Sequence, residues 1–577
     1  MATERRLERP WSKLLTVLVC CSGAGVATAA CGFSGTTTDG TPTGGNAATT
    51  AGSTGGPQAG TTQTGTSGAT STGGVGTPQG GNGTTAGTGP AAGSGTGGSA
   101  GSGSIIPGQA PNYEYTGTWP NAPIAIKTVT AALTYTKVVV HAQFLGESCS
   151  IADYNNDGMP DVSSGRIWYQ GPDFKTQHPF RDGHGVLPNA GAGPEIDTGV
   201  SDDWSDFPFD INADGNMDII NIAQCDVDEV SKTANKMGTV QKHATAVWYQ
   251  NPGPAGQVGN PNWAPHSIHA DVRLEQHGFI DMNGDGFPEI FGACKSCTPP
   301  TTKGYYQGDP KNPNNPWAYH AVTGPVKFPF GDGLGWMHGE GGGDVNGDGL
   351  PDLLERSGAW LQQPGGTWNQ TECTGKNVPA GCGWVKQNFY DGLQDDAGNK
   401  GASHMYAVDM DMDGIADVVA ADWAHGEGLL WYKQGADGKF TKYQFLGGAG
   451  AADKTKWGAG FSEPHALQVA DMDGDGRPDI VTGKMRFAHP YGYGDPDPDG
   501  VPYVYVFKNV ATPDAKSGAP ITLQPILVDP SGAPGAIGTP AGGMGVGRQL
   551  AVGHVNTDGK MDICVATKVG LAVFLGQ

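Results

Sequence analysis

The sequence predicts an all-β fold, a seven-bladed β-propeller, and three observations lead to this prediction. One nine-residue pattern, Asp-x-Asn/Asp-x-Asp-Gly-x-x-Asp/Glu, occurs six times, and a degenerate seventh copy starts at His554. Short alternating apolar segments flank the copies, as is typical of β-strands. The copies start at irregular intervals, from 57 residues between Asp153 and Asp210 to 83 residues between Asp471 and His554. Such spacing favours a ring of similar units with inserted loops over a stacked solenoid.

The sixth unit shows the strand pattern of one predicted blade. His465–Ala470 alternates like a first strand, and the acidic loop Asp471–Asp479 follows it. Second and third strands are predicted at Ile480–Thr482 and Val504–Phe507, and a fourth at Ile521–Val528. No helix-period segment of useful length lies between the units. Seven units of four strands without helices indicate a propeller.

The two ends of the chain predict how the ring closes. The seventh unit has three strands, near residues 549–552, 563–566 and 571–575, and the chain then stops. At the other end, Thr134–Ala142 resembles a fourth strand and precedes the first unit. We therefore expect this N-terminal strand to complete the last blade, which removes the exposed sheet edges that promote aggregation.

The nine-residue pattern predicts about six structural Ca²⁺ sites. Hard oxygen ligands at positions 1, 3, 5 and 9, with Gly at position 6 for a sharp turn, are what Ca²⁺ requires of a short loop. The six loops contain 20 of the 57 Asp and Glu residues, and these acids would repel one another without a cation. In the seventh copy, His554–Asp562, an imidazole replaces the first oxygen, so this site is expected to be weak or empty. The predicted ligands are Asp153, Asn155, Asp157, Asp161, Asp210, Asn212, Asp214, Asp218, Asp281, Asn283, Asp285, Glu289, Asp344, Asn346, Asp348, Asp352, Asp409, Asp411, Asp413, Asp417, Asp471, Asp473, Asp475 and Asp479.

This loop, followed by an apolar strand and then an aromatic strand, resembles the FG-GAP/VCBS repeat family. The resemblance covers roughly residues 134–577. It implies a propeller of the integrin α-subunit type, with Ca²⁺ held between the first and second strands of each blade. The third-strand pattern of Ile167–Gln170, Val247–Gln250 and Leu430–Lys433 is similar to propellers of some carbohydrate-active lyases and dehydratases.

The N-terminal residues predict export and a tether. Residues 1–30 combine a basic start, an apolar core and small residues before Cys31, which is typical of a bacterial signal peptide. Ala27-Thr28-Ala29 fits ordinary cleavage, whereas Thr28-Ala29-Ala30-Cys31 resembles a lipobox that would place a lipid on Cys31. Residues 31–104 are mostly Gly, Thr, Ser and Ala, so we expect a disordered linker, with the propeller at 105–577. The protein is therefore expected to be a surface or periplasmic lipoprotein, or secreted.

Composition limits the partners. The formal net charge of −23 and the absence of a basic stripe argue against nucleic acid. No stretch after the signal approaches 18 apolar residues, so the expected membrane contact is only through a lipid at Cys31.

Export favours disulfides. Cys373 and Cys382 flank a loop and are predicted to pair, and a local disulfide is predicted for Cys294 and Cys297. Cys149 is considered as a partner for Cys225, which leaves Cys564 as a buried thiol.

A second site is predicted at the channel mouth opposite the acidic loops. Residues six positions before each loop should converge there, because first strands line a propeller's channel: Glu147, Trp204, Glu275, His338, Ser403, His465 and Arg548. Their sequence neighbours His277, Glu340, His404 and Glu463 belong to the same group. The loops between second and third strands add Arg166, Arg356, Asp422, His425, Glu427, Lys484, Arg486, His489 and Lys568.

Three interpretations of this mouth remain open. Propeller channels are wet, so its polar residues need no function. A ligand site would bind a glycan or protein, with Trp168, Trp204, Trp248 and Trp431 available for packing. Alternatively, a carbohydrate lyase or dehydratase would use a His as acid or base and an Arg for a carboxylate or enolate. The catalytic candidates are His338, His404, His465, Arg548, Arg486 and His425, and His338, His404 and His465 could instead hold a transition metal.

Overall fold

A computed structural model shows an all-β propeller. It describes residues 132–181, 186–187, 200–201, 203–222, 227–228, 233–234, 246–257, 263–294, 296–300, 302–324, 338–355, 358–363, 382–389, 402–447, 451–486, 496–497, 500–532 and 542–577. The predicted signal peptide, Cys31 and the linker lie outside the described residues. Within them, no helix is long and apolar enough to cross a membrane.

Thirty-two strands and two short helices make up the described fold. In chain order the strands are β1 Tyr135–His141, β2 Ser150–Ala152, β3 Asp161–Ser164, β4 Ile167–Tyr169, β5 Gln177–Pro179, β6 Val186–Leu187, β7 Val200–Ser201, β8 Ser205–Phe209, β9 Asp218–Ile222, β10 Val227–Asp228, β11 Thr233–Ala234, β12 Ala246–Gln250, β13 Ala264–His269, β14 Phe279–Ile280, β15 Glu289–Cys294, β16 Thr302–Gln307, β17 Ala318–Ala321, β18 Glu340–Gly343, β19 Asp352–Glu355, β20 Gly358–Gln362, β21 Trp384–Asn388, β22 Met405–Val408, β23 Asp417–Ala421, β24 Leu429–Gln434, β25 Phe440–Leu446, β26 Leu467–Ala470, β27 Asp479–Gly483, β28 Val504–Val510, β29 Thr522–Leu527, β30 Leu550–Gly553, β31 Asp562–Thr567 and β32 Gly570–Gly576. The helices are α1 Gly253–Gln257 and α2 Ala451–Trp457.

Five four-stranded antiparallel sheets form separate blades. Their strand orders are β2-β3-β4-β5, β13-β12-β9-β8, β14-β15-β16-β17, β26-β27-β28-β29 and β1-β32-β31-β30. In each sheet the first strand of the repeat is almost entirely buried, whereas the outermost strand is largely half-buried or exposed. Two further pairs, β6-β7 and β10-β11, are small hairpins.

The prediction of a seven-bladed propeller is wrong, because the structure arranges five blades. The fourth and fifth repeats share one eight-stranded sheet, β21-β20-β19-β18-β22-β23-β24-β25. Its two halves join where β18 pairs in parallel with β22, with Gly341 opposite Met405 and Gly342 opposite Tyr406. A side chain at Gly341 would collide with the backbone carbonyl of Met405. Glycine in β18 therefore permits a backbone approach that side chains would prevent.

The N-terminal strand takes its predicted place. β1 pairs antiparallel with β32 from Tyr135 opposite Gly576 onward, and it becomes the outer strand of the last sheet. The Lys137 ammonium also contacts the Asp529 carboxylate at 3.2 Å and the Gly542 carbonyl at 2.8 Å. The two ends of the described chain are thus joined by backbone and side-chain bonds, so β32 has no open edge.

Apolar clusters between consecutive sheets form the core. One cluster packs Val419 and Trp431 of the fifth repeat against Ile480 and Phe507 of the sixth. Another packs Ile151 of the first repeat beside Val573 of the last, which closes the ring through apolar contacts as well. The burial of these clusters is the dominant favourable contribution to folding.

The cysteines follow the predictions in part. Cys294 and Cys297 form the predicted disulfide. Cys382 also belongs to a disulfide, and Cys373, its predicted partner, lies outside the described residues. Cys149 is a free buried thiol beside Cys564 rather than half of a bridge, and Cys225 lies outside the described residues. Cys564 is a buried thiol, as predicted.

Candidate functional site

The residues that precede the inner strands are buried and paired rather than exposed at an open mouth. Glu147, just before β2, contacts the Lys568 ammonium at 2.7 Å and Nε of Arg548 at 3.4 Å. Its carboxylate also accepts a hydrogen bond from the backbone N–H of Ser201. Burial alone would raise the pKa of Glu147, but Lys568 and Arg548 outweigh it and hold the pKa at about 2. Glu147 is therefore a charged link between the first and last repeats.

Arg548 connects the seventh repeat with the first three repeats. Besides Glu147, its guanidinium contacts the Glu275 carboxylate of the third repeat, and it lies over the Trp204 ring at 4.1 Å from the centroid. A guanidinium bonded to two carboxylates and an indole face is already well neutralised. In this structure Arg548 organises the channel, and its predicted role toward a ligand carboxylate or enolate stays a prediction.

The other channel carboxylates are also paired with lysines. Lys484 lies 3.7 Å from Glu463, and Lys303 lies 3.1 Å from Glu340 and 3.6 Å from Glu355. Burial raises the pKa of Glu340 to about 7 despite Lys303. Sequence reasoning missed Lys303 and Glu355, which lie with Glu340 at the channel end of their blades. These buried carboxylates are therefore neutralised by ion pairs with lysines inside the channel.

Three histidines and one glutamate converge in the same channel, and we call them the His₃Glu cluster: Glu275, His338, His425 and His465. Each offers a ligand atom within 4.8 Å of the others, and all four residues are buried. Nε2 of His338 contacts Nε2 of His425, and the Glu275 carboxylate lies 3.7 Å from His338 and 3.9 Å from His465.

The loop between β23 and β24 brings His425 into this cluster. The N–H of Glu463 donates to the carbonyl of Gly426 at 2.7 Å, and Glu427 forms an isolated β-bridge with Ser462. These bonds attach the loop of the fifth repeat to the start of the sixth. The cluster thus combines His338 and His465 as predicted, but His425 takes the place expected for His404.

His404 lies in the channel outside this cluster. It is buried, and among the described residues neither of its ring nitrogens has a hydrogen-bond partner. Burial lowers the pKa of His404 to about 4, so the ring is neutral at pH 7. Burial and the nearby His404 lower the pKa of His277 to about 3, and the Nδ1 atom of His277 bonds to the Ser205 hydroxyl. The two rings form a neutral, desolvated imidazole pair.

The remaining mouth candidates are more peripheral. Arg166, Asp422, Glu427 and Arg486 are half-buried. Ser403 is buried beside His404 in sequence. Arg356 and His489 lie outside the described residues.

The four tryptophans predicted to pack against a ligand are buried inside the protein instead. Trp168, Trp204, Trp248 and Trp431 are among the largest fully buried side chains. Trp168 stacks on His178 at 3.9 Å, and Trp248 stacks on His266 at 4.2 Å between ring centroids. That prediction is wrong because Trp168, Trp248 and Trp431 lie in third strands whose rings pack in the core between blades, and Trp204 is covered by the Arg548 guanidinium.

The acidic loops share one geometry at the opposite end of the blades. In the first copy, the Asp153 carboxylate accepts hydrogen bonds from the N–H groups of Asp157 and Gly158. The glycine at position 6 has positive φ, 84° at Gly158 and 88° at Gly414, a conformation that favours glycine. Carboxylate oxygens of Asp409, Asp411 and Asp417 lie within 4.8 Å of one another, as do those of Asp471, Asp473 and Asp479. This oxygen donor set fits a hard cation such as Ca²⁺.

Position 9 has a structural role that the sequence did not reveal. Asp161 accepts hydrogen bonds from the N–H of Tyr154 in the loop and from the N–H of Gly171 after the third strand. The same pair of bonds recurs at Asp218, Asp352, Asp417, Asp479 and Asp562. Burial raises the pKa of Asp161 to about 7. The position-9 acid therefore fastens its loop to the third strand, whether or not it also contacts a cation.

Lysines reach two of the loops. Lys433 contacts both Asp411 and Asp413, and Lys508 contacts Asp473 and lies 3.5 Å from Asp475. Both lysines come from the third strand of their own repeat. An ammonium within these acids shows that each of the two loops attracts positive charge.

A separate cavity of about 450 Å³ lies between the third sheet and the eight-stranded sheet. Its aromatic walls include Tyr305, Tyr319 and Trp384, and Gln362 and Gln363 supply amides. The His320 ring, also in the wall, stacks on Tyr305 at 4.9 Å with an interplanar angle of 17°. Sequence reasoning missed this groove, because its residues belong to the outer strands of two different repeats.

One family model agrees with this fold. Residues 409–482 match the family model described as FG-GAP-like repeat. A solved lectin from Agrocybe aegerita, described as specifically recognising non-reducing terminal N-acetylglucosamine, is similar at 18% identity and a TM-score of 0.33. The match covers 68% of this chain and 81% of the lectin. No curated protein matches the sequence.

Fold and loops together define a β-propeller made of repeats with acidic loops. The FG-GAP-like match at residues 409–482 confirms the resemblance seen in the sequence.

Proposed function

We propose that this protein is an exported, surface-tethered, calcium-stabilised β-propeller that acts as a ligand-binding module. Its ligand is a glycan or a protein, and the chemistry of the cavity favours a glycan. Export and tethering are supported by the signal-like residues 1–30, Cys31 and the linker to residue 104. Calcium is supported by six loops of hard oxygen donors with glycine at the turn.

The cavity between the third sheet and the eight-stranded sheet carries the ligand proposal. Its volume of about 450 Å³ lies within the usual range for small-molecule sites. The half-buried rings of Tyr305 and Tyr319 offer apolar faces, which suit the C–H faces of a sugar ring, and the buried Trp384 completes this wall. The amides of Gln362 and Gln363 can both donate and accept hydrogen bonds, as sugar hydroxyl groups require.

A glycan-binding experiment tests this proposal. The purified, Ca²⁺-loaded protein would be applied to a glycan array. The affinity of each glycan that binds would then be measured by calorimetry for the wild type, Tyr305→Ala and Gln363→Ala. We expect each substitution to weaken binding about fivefold or more, since each removes a contact worth about 1 kcal/mol or more. Tyr249→Ala, a half-buried third-strand tyrosine outside the cavity, is the matched control. Binding that is absent from the array, or unchanged in Tyr305→Ala, contradicts the proposal.

A second candidate function is a carbohydrate lyase or dehydratase in the channel. One observation favours it: His404 is buried and neutral, and its ring nitrogens have no hydrogen-bond partner among the described residues. A desolvated neutral imidazole can accept a proton, and the channel cations Arg548 and Lys484 are of the type that stabilises the charge formed in an elimination next to a carboxylate. A ring nitrogen of His404 would take the proton from the carbon next to the carboxylate, and a cation would stabilise the resulting enolate. The enolate would then expel the β-linked sugar oxygen, which breaks that C–O bond and leaves the double bond of the unsaturated product.

Turnover assays separate this candidate from simple binding. With a uronic-acid polysaccharide as substrate, the formation of unsaturated product would be followed by ultraviolet absorbance. If the protein is such an enzyme, we expect His404→Ala to abolish turnover and to leave the melting temperature nearly unchanged. Equal activity in His404→Ala and wild type would eliminate the catalytic role of His404. A pure binding module would show no turnover but intact glycan binding in His404→Ala.

A further inference from the structure

We propose that the His₃Glu cluster in the channel is a binding site for one divalent first-row transition metal ion. This site differs from the Ca²⁺ loops in position and in ligand chemistry. Glu275 and His338 immediately precede inner strands of neighbouring repeats, His465 precedes that of the sixth, and His425 comes from the loop that bonds to it. Four repeats therefore each supply one ligand.

The rings are oriented so that their nitrogens meet. The ring planes of His338 and His465 are at 89°, with centroids 5.3 Å apart, and those of His425 and His465 are at 88°, with centroids 4.5 Å apart. Mutually perpendicular rings direct nitrogen atoms toward a shared point rather than stacking face to face. All four possible ligand atoms lie within 4.8 Å of one another, which suits ligands about 2 Å from one central ion.

A neighbouring amide fixes the protonation of one ring. Nδ1 of His338 bonds to Oε1 of Gln276 at 2.7 Å, and Nε2 of Gln276 donates to the carbonyl of His465 at 3.3 Å. Because the amide oxygen only accepts hydrogen bonds, Nδ1 of His338 carries the proton. The lone pair of its Nε2 then faces His425 and Glu275. Metal-ligating histidines commonly have their second nitrogen bonded in this way.

The rings of His338 and His425 also meet at one nitrogen each. Nε2 of His338 contacts Nε2 of His425, so one possible ligand atom of each ring faces the same point. Without a metal ion, one neutral ring can donate its N–H to the lone pair of the other. A metal ion would replace that shared proton and bind one nitrogen of each histidine together with the Glu275 carboxylate.

Ligand type decides between metal classes. Imidazole nitrogens suit Zn²⁺, Cu²⁺, Fe²⁺ and Ni²⁺, whereas Ca²⁺ takes oxygen ligands almost exclusively. Glu275 supplies one carboxylate, and its contact with Arg548 holds that carboxylate in place. We therefore expect three histidines and one carboxylate to bind a transition metal even when Ca²⁺ is in excess.

Cobalt titration tests the site directly. Co²⁺ would be added to the full-length, metal-stripped protein in millimolar Ca²⁺, with visible absorbance reporting nitrogen ligation and calorimetry giving the stoichiometry. We expect one Co²⁺ per chain, loss of the absorption band in His425→Ala, and about 10- to 100-fold weaker binding in Gln276→Ala. His266→Ala, which removes a histidine stacked on Trp248 outside the channel, should bind Co²⁺ like the wild type.

Two outcomes would contradict the proposed metal site. One is folded wild-type protein that takes up no Co²⁺ at stoichiometric concentration. The other is an unchanged absorption band in His425→Ala or, should that variant not fold, unchanged affinity in Gln276→Ala. The titration contains no glycan, so the metal site and the proposed glycan site can fail independently.

Discussion

Glu147 illustrates how much one buried charge can contribute when its partners are in place. The unfolded chain has its ordinary glutamate pKa, whereas Lys568 and Arg548 hold the folded-state pKa at about 2 despite burial. A depressed carboxylate pKa stabilises the fold above the unfolded pKa. That contribution is lost as the pH falls from about 4.5 toward 2.

We predict that Glu147→Gln destabilises the protein at pH 7 by roughly 3 kcal/mol, which corresponds to the difference between the two pKa values. The difference in unfolding free energy between the variant and the wild type should shrink steadily below pH 4.5. Chemical denaturation at a series of pH values measures it. Glu427→Gln, a half-buried carboxylate in the loop after β23, serves as the control. A gap that is independent of pH would show that charge pairing is not what Glu147 contributes.

The seventh acidic copy separates the two roles of its loop residues. His554 has lost the first oxygen ligand, but Asp562 still accepts hydrogen bonds from the N–H groups of Val555 and Gly576. Position 9 is thus kept in a copy where the predicted cation site is weak or empty. The backbone fastening alone accounts for an acid at this position.

Asp562→Asn should destabilise the protein by about 1–3 kcal/mol, because an amide offers one acceptor atom where two backbone donors converge. The loss should be the same with and without EGTA, since no Ca²⁺ ligand is involved. Denaturant titration under both conditions provides the measurement. Asp558→Asn, exposed in the same copy, should have little effect. A loss that disappears in EGTA would instead assign Asp562 to a cation.

Residues of the channel show where sequence reasoning ends. His338 and His465 were predictable, because each lies at a fixed distance before an acidic loop and so occupies an equivalent place in its blade. His425 was assigned to the right end of the blade, but only the bond between Glu463 and Gly426 places it in the cluster instead of His404. The tryptophans were misassigned because an aromatic strand looks the same in sequence whether its rings face a ligand or a neighbouring sheet.

At the scale of elements, strands were more predictable than their grouping. Alternating segments and acidic loops are local patterns, so β26 to β29 lie close to their predicted positions. The pairing of β18 with β22 is not local, since it depends on how closely two repeats approach. Gly341 and Gly342 allow that approach, and a sequence of three glycines also occurs in many loops. The shared eight-stranded sheet therefore could not be inferred from the repeat pattern.

The strand β1 provides a prediction at this scale. Val138 lies opposite Val573 in the middle of the pairing with β32. Val138→Pro should cost roughly 3 kcal/mol, because proline removes a donor and distorts the strand, and it should expose β32 to aggregation. Denaturation and light scattering measure both effects. Val139→Thr, on the exposed side of the same strand, keeps the backbone bonds and is the control. An unchanged midpoint in Val138→Pro would mean that β1 does not hold the last sheet.

In the whole molecule, the two ends of the blades have different electrostatic designs. The channel end balances its buried carboxylates with lysines and Arg548 inside the protein. The loop end has more acids than basic partners in the described structure, where Lys433 and Lys508 contact the loops of their own repeats. With a formal net charge of −23, we expect bound cations to supply most of the compensation at the loop end.

The stability of the whole ring should therefore depend on Ca²⁺. A ligand that binds only the folded state adds about 4 kcal/mol per site at 1,000 times its dissociation constant. Several sites together should shift the melting temperature by on the order of 10 °C or more between EGTA and millimolar Ca²⁺. Differential scanning calorimetry in EGTA, Mg²⁺ and Ca²⁺ measures this shift, with Mg²⁺ distinguishing a specific site from simple charge screening. His554→Asp restores the first oxygen of the seventh loop, so it should increase the Ca²⁺-dependent part of the shift while leaving the EGTA value almost unchanged. Identical melting in EGTA and Ca²⁺ would show that the acidic loops are held by their hydrogen bonds alone.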